Sequence, residues 1–212
     1  MSVRIHSTAN VEDGCLIGEG TSIWDHVHVR FGTQIGEQCI VGGKTYIAYD
    51  VRIGNRCKIN SAVYICNGVT LEDGVMISAG TIFTNDRFPR AATPDLAHLR
   101  PSEPDEFTDK TIVCAGATIG AGCIIGSNLE IGRWAMVGMG SIVTKSVPAH
   151  HVVLGTPARS VGAVCRCGQL LCMFSEDDLE IETLVCSVCN DNYSRVGQHI
   201  EQVESQHDSN GT

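Results

Sequence analysis

From Ile5 onward, every sixth residue of this chain is a branched aliphatic: Ile5, Val11, Ile17, Ile23, Val29, Ile35, Val41, Ile47, Ile53, Ile59, Ile65, Leu71 and Ile77. Phe83 follows in phase, and the pattern resumes at Val113, Ile119, Ile125, Ile131, Val137 and Val143. A period of six fits neither the 3.6-residue turn of an α-helix nor the two-residue alternation of a plain strand. It fits a short flat strand and a corner, repeated. Three such sides close a triangular coil of 18 residues, and successive coils pair through backbone hydrogen bonds at a spacing of about 4.8 Å. The aliphatic residue points inward and fills the triangle. The predicted fold is therefore all-β, a parallel β-helix of a little over six coils.

Four residues after each aliphatic stands a small or β-branched residue, such as Thr21, Thr33, Cys39, Thr45 and Cys57, which fits an inward slot near the corner. In this slot Cys15, Cys39, Cys57 and Cys123 read as small buried hydrophobes rather than reactive groups. Gly often follows the aliphatic directly, as at Gly18, Gly36 and Gly54, and is expected to ease the turn. Aromatic residues make up only 5% of the chain, as a core of stacked aliphatics requires. The net charge of −9 disfavours binding to nucleic acid or to an anionic membrane, both of which need a basic face. The opening residues MSVRIHSTANVEDG lack the apolar stretch of a secretory signal. The uncharged segment 111–129 is rich in Gly, Ser, Thr and Asn, so no membrane span is expected. The expected compartment is the cytoplasm, where the 11 cysteines are reduced thiols, some available as metal ligands.

The hexads vanish between Phe83 and Val113. The segment 84–112 holds four of the six prolines and many charges. A long irregular stretch inside a regular solenoid is either disordered or functional; the repeat resumes in phase, so it leaves the lattice as a loop on one edge that can wall an otherwise shallow coil face.

Hexads such as IGEGTS (17–22), IGEQCI (35–40), IGAGCI (119–124) and VGMGSI (137–142) resemble those of hexapeptide-repeat acyltransferases, over residues 1 to about 160. The resemblance implies a left-handed coil and a homotrimer. IWDHVHV (23–29), KINSAVYI (58–65) and FTNDRFPRA (83–91) are similar to the branch that acylates the amino group of nucleotide-linked amino sugars. That branch implies that Asn85, in its Phe-Thr-Asn, lies against the sugar amine. An Asn carbonyl accepts a hydrogen bond from an amine and orients its lone pair, but takes no proton at neutral pH. Residues 18 apart stack, so Asn85 lies over Asn67, Tyr49 and Phe31, and Asn60 shares a column with Trp24, Gly42 and Ser78. Trp24, Asn60, Asn67 and the loop residue Arg90 are the candidate substrate contacts. Where relatives carry an aromatic residue followed by an acid, this chain has Cys66-Asn67. His28, in its Val-His-Val, is a reserve general base beside direct transfer without a covalent intermediate.

The segment VGMGSIVTKSVPAHHVVLGTPARSVG (137–162) is similar to the closing stretch of the same family, where the acyl-coenzyme-A donor lies. The resemblance implies that the backbone at Gly138 and Gly140 meets the pantetheine arm, and that Lys145 and Arg159 meet the coenzyme A phosphates. The implied function is acyl-CoA-dependent N-acylation, with acetyl-CoA the expected donor. O-acylation of a hydroxyl, a three-histidine metal site of carbonic-anhydrase type, and a non-catalytic trimeric scaffold are the competing readings. His26 and His28 have no histidine stacked on them, which counts against the metal site.

Past Gly162 the composition changes. Cys165-Arg-Cys167 is separated by 18 residues from Cys186-Ser-Val-Cys189, a pairing that suits one tetrahedral Zn²⁺ in a zinc-ribbon-like module. Four thiolates leave no open position, so such a metal is structural. The expected organisation is an acyltransferase β-helix over 1–162, a zinc module over 163–193 and a flexible tail over 194–212.

Overall fold

The computed structural model describes residues 2–101, 103–104, 108–175 and 181–203. It is all-β: the hexads form two- and three-residue strands from Arg4–Ile5 through Ile142–Val143, stacked in three parallel sheets. Partners lie 18 residues apart, as in Ile5↔Ile23, Val11↔Val29 and Ile17↔Ile35. We call the faces A, B and C after these three columns. The solenoid runs one coil further than the hexads indicate. Val147 bridges Ile131, and Val153 pairs with Val137, so the last coil is two residues shorter than the others.

Ile59, Ile77 and Ile119 stack one above the next on face A, and Ile65, Ile125 and Ile131 on the other faces are equally buried. The small slot is more specific than a hydrophobic fit. The Thr21, Thr33 and Thr45 hydroxyls donate to the carbonyls of Gly36, Ala48 and Asn60, 15 residues on. The Cys39, Cys57 and Cys123 thiols donate in the same way to Gly54, Glu72 and Gly138. Thr and Cys are therefore equivalent here: small side chains with one donor for an inward corner carbonyl.

The glycine expectation needs correction. The left-handed residue of each corner is the third after the aliphatic, where Gly14, Gly20, Gly32 and Gly116 alternate with His26, Gln38, Lys44 and Asp50. Gly18 and Gly36, directly after the aliphatic, serve close approach instead. A Cβ there would lie 2.5 to 2.6 Å from the backbone of the coil above.

The insertion leaves at the corner between faces B and C. Leu71 pairs with Val113 where its hexad neighbour would stand. Thr111 and Ile112 belong to the strand Thr111–Val113, so the loop proper is 84–110. Antiparallel bridges Asp86↔Thr108 and Ala92↔Leu99 fold it back on itself.

Two module boundaries also differ from expectation. The strand Ala158–Val164 crosses 162/163, pairing with both His151–Gly155 and Leu170–Met173. Residues 194–203 are no tail: Asn192–Val196 joins Ile181–Val185 and His199–Val203 in an antiparallel sheet, with Tyr193 and Ile200 buried. A tight turn at Gly197, in the left-handed region, makes the hairpin that the lack of a six-residue period concealed. The remainder of the expected tail, 204–212, lies outside the described residues. Among the described residues no helix is long and apolar enough to cross a membrane.

His151 joins the solenoid to this sheet. Its Nε2–H donates to the Gln198 carbonyl at 2.7 Å and its Nδ1 accepts from the Ser160 hydroxyl at 2.8 Å. Burial pushes its pKa down from 6.5. The unfolded chain then binds more protons as pH falls below about 6.5, so the stabilisation present above that value is lost toward the folded pKa. The melting temperature is expected to fall between pH 7 and pH 5; a rise would contradict this assignment. Ile59→Ala should cost about 2–5 kcal/mol in denaturant melts, and Thr33→Val about 1 kcal/mol.

Candidate functional site

Loop 84–110 and the outer surface of face B enclose a cavity of about 250 Å³. Tyr46, Tyr49, Tyr64, Asn67, Asn85 and Arg90 are among its walls. The stacking expected at 18-residue intervals holds. Asn85 Nδ2 donates to the Asn67 carbonyl at 3.1 Å, and Asn67 Nδ2 donates to the Tyr49 carbonyl at 2.9 Å. Tyr49 stacks on Phe31 with ring centroids 5.4 Å apart. With its amide nitrogen committed downward, Asn85 keeps its Oδ1 as an acceptor for a ligand.

Trp24 and Asn60 lie elsewhere. With Asp25, Gly42 and Ser61 they line a second, shallower depression at the corner between faces A and B. The two depressions flank the same face from opposite edges and do not merge within one chain.

That face carries an aromatic ladder along the His28 column. His28, Tyr46 and Tyr64 are spaced by 18. Tyr46 stacks on Tyr64, and His28 meets Tyr46 edge-on, each pair at 5.4 Å. Ile82 and Ile124 continue the column and are exposed, as is Tyr64. His28 does not line the loop cavity; Tyr46 stands between them. Its Nε2 lies 2.8 Å from Glu12 Oε1. Glu12 also pairs with Arg30, 2.6 Å away, and accepts from the Phe31 amide. The Arg30 and Phe31 contacts, with a lesser one from His28, hold its carboxyl down at about 2. The ionised carboxylate places the His28 proton on Nε2 and the free lone pair on Nδ1.

Cys66 is buried, and desolvation pushes its thiol up to about 12. It is no nucleophile at neutral pH. The loop root is tied by charge. Asp109 accepts from the Ser127 hydroxyl at 2.8 Å and pairs with Arg87 at 2.8 Å, and these partners hold its carboxyl below the usual range. Arg87, Arg90 and Arg100 line the cavity together with Asp86 and Glu103, and Arg87 is already paired with Asp109.

The donor-end residues are partly gathered. A Cβ on Gly138 would strike Leu154, which pairs with Arg159 in the hairpin of His151–Gly155 and Ala158–Val164. The Gly138 and Gly140 amides donate to Val153 and Ala121, so the coil ladder already uses both. Arg159 is exposed; Lys145 is exposed on the next corner, between faces B and C.

Residues 9–49 and 50–85 match the family model described as the hexapeptide repeat of succinyl-transferase. Over those residues the chain carries hexapeptide repeats of that kind. It is 47% identical over 64 residues to dTDP-3-amino-3,6-dideoxy-alpha-D-galactopyranose 3-N-acetyltransferase of Aneurinibacillus thermoaerophilus, covering 30% of this chain and 33% of that enzyme. It is 51% identical over 47 residues to serine acetyltransferase of Escherichia coli (strain K12), covering 22% of this chain and 17% of that enzyme. It thus spans a third or less of the length of these curated relatives. Among solved structures it is similar to AntD, an N-acyltransferase from Bacillus cereus in complex with dTDP and coenzyme A. There the identity is 25%, the TM-score 0.48, and the coverage 77% of this chain and 82% of that one.

Asp109→Ala should release Arg87 and Ser127 and loosen the root without touching the coil ladder. Limited proteolysis within 84–110 is expected to quicken about tenfold with little change in melting temperature; unchanged cleavage would show that the root does not depend on this carboxylate.

Proposed function

We propose that this hexapeptide-repeat protein is an acyl-CoA-dependent N-acyltransferase, with acetyl-CoA as donor and the amino group of a nucleotide-linked sugar as acceptor. The observation that carries this reading is Asn85, fixed at the loop root with its Oδ1 available in the cavity that Arg90 also lines. A neutral amine donates one N–H to that oxygen and aims its lone pair at the thioester carbonyl. Attack forms the C–N bond and a tetrahedral oxyanion. Collapse breaks the C–S bond, and the departing thiolate takes the amine proton. No acyl-enzyme is needed. Arg90 meets the anionic part of the nucleotide, Tyr49 and Tyr64 offer flat surfaces for its ring, and Asn67 holds Asn85 in place. The local likeness to an amino-sugar N-acetyltransferase supports the acceptor class.

The protein acts as a homotrimer packed through face B, where Tyr64, Ile82 and Ile124 are exposed. In that assembly the corner bearing Trp24 and Asn60 on one copy borders the loop cavity of its neighbour. The hairpin with Arg159, together with Gly138, Gly140 and Lys145, forms the donor end. Cys165, Cys167, Cys186 and Cys189 hold a structural Zn²⁺, and the protein works in the cytoplasm.

A second reading, O-acylation of a hydroxyl, has its own support. His28, oriented by ionised Glu12, has the form of a general base, and a local match is a serine acetyltransferase. Free-thiol release from acetyl-CoA, screened against nucleotide amino sugars and against serine, separates the two. For an amino-sugar acceptor, Asn85→Ala should lower kcat/KM about 100-fold and His28→Ala about twofold or less. A dead His28→Ala beside a near-normal Asn85→Ala would replace the first reading with the second.

A further inference from the structure

The four thiol sulfurs of Cys165, Cys167, Cys186 and Cys189 lie within 4.8 Å of one another. Cys165 and Cys189 approach to 3.3 Å, Cys167 and Cys186 to 3.5 Å. A tetrahedron with Zn–S bonds of about 2.3 Å has edges of about 3.8 Å, so the donor set fits one Zn²⁺. Each pair sits on a tight turn, with Gly168 or Asn190 in the left-handed region just beyond it. The Val188 and Cys189 amides favour the Cys186 thiolate, lowering its pKa.

The surroundings of the thiols reach the solenoid. Tyr193 is fully buried; its hydroxyl donates to Cys165 Sγ at 3.1 Å and accepts from the Arg166 amide at 3.0 Å. The Tyr193 ring packs edge-on against His150, centroids 5.1 Å apart. His150 Nδ1–H donates to the Val164 carbonyl and its own carbonyl accepts from the Val164 amide, which closes the base of the donor hairpin. Beside it, His151 ties Ser160 of that hairpin to Gln198 of the module, and its ring meets Phe174. Val153 and Leu154 then pack on Val137 and Gly138 of the preceding coil. Thiol cluster, Tyr193, His150 and hairpin form one contiguous chain of contacts.

We propose that Zn²⁺ held by the four cysteines fixes the donor hairpin through Tyr193 and His150, so that metal loading sets the affinity for acyl-CoA. This rests on the acyltransferase reading for its consequence, but not for its mechanics. A module of this size buries too little to hold its shape without a staple. With the metal absent, Tyr193 loses its anchored sulfur and the hairpin samples open states. The apparent affinity for the donor falls in proportion to the closed fraction.

The test uses the full chain, stripped with a zinc chelator and reloaded with Zn²⁺. Bound zinc, hydrogen exchange of residues 151–164 and coenzyme A binding by calorimetry are measured in both states. Loaded protein should hold one zinc per chain. Stripping should raise exchange in 151–164 and the coenzyme A Kd about tenfold each, reversibly, while the coils over 23–83 stay protected. Tyr193→Phe should keep its zinc yet exchange several-fold faster in 151–164, which a cap independent of the hairpin would not produce. The proposal is overturned by failure to bind zinc, by equal exchange in 151–164 with and without it, or by equal loss of protection over 23–83. If exchange responds as expected but loaded protein binds no coenzyme A, the mechanical link stands and the acyltransferase reading falls.

Discussion

The structure depends on the backbone ladder between coils. Arg4 N–H donates to Thr21 O, Ser22 to Cys39 and Ile40 to Cys57, each at 2.8 to 3.0 Å, and the same step recurs along the solenoid. A ladder that advances one coil at a time admits no extra or missing residue within a strand without breaking bonds, so changes in coil length fall at the corners. The side chains inside must therefore repeat with the backbone, which is why the aliphatic positions tolerate so little variation. The corners carry no such constraint. They are where the chain takes on a loop, a charge cluster or a histidine at no cost to the ladder.

This separation explains what the sequence discloses. The inward column is written at fixed spacing, and so the architecture and the loop insertion can be read without a structure. The final coil, shortened between Val143 and Val147, falls outside the six-residue pattern because its contacts are made by bridge and hairpin instead. The same holds for the sheet that ends at Val203, whose strands alternate inward and outward residues in the ordinary two-residue way around a single glycine turn. A reader tuned to sixes finds no signal there, although Tyr193 and Ile200 supply one.

Site chemistry is legible in columns but not across them. Asn85, Asn67 and Tyr49 share a column, and their contact follows from arithmetic. Arg87 with Asp109, or Glu12 with both His28 and Arg30, depends on how far side chains lean across a corner. Trp24 and Asn60 show the opposite failure. Their column neighbours the face correctly, yet one chain does not bring them to Asn85, because a triangular prism holds its corners apart. A site that needs two corners of such a prism is completed by a second copy more naturally than by bending the first.

The cysteines make the same point about context. In the coils, Cys39, Cys57 and Cys123 donate to a carbonyl and do what Thr does in the identical slot. In the terminal module the same residue type is placed on tight turns, where amide groups favour the thiolate and four sulfurs converge. Burial pushes the thiols of Cys66 and Cys123 up, whereas the turn amides of Cys189 and Val188 pull that of Cys186 down. The backbone geometry of the slot, not the abundance of cysteine, separates the thiols stacked in the coils from the four that converge in the terminal module. Because this module lies directly beyond His150 and His151, the last aliphatic coil ends on side-chain contacts with Val164, Tyr193 and Gln198, where the middle coils are held by repetition.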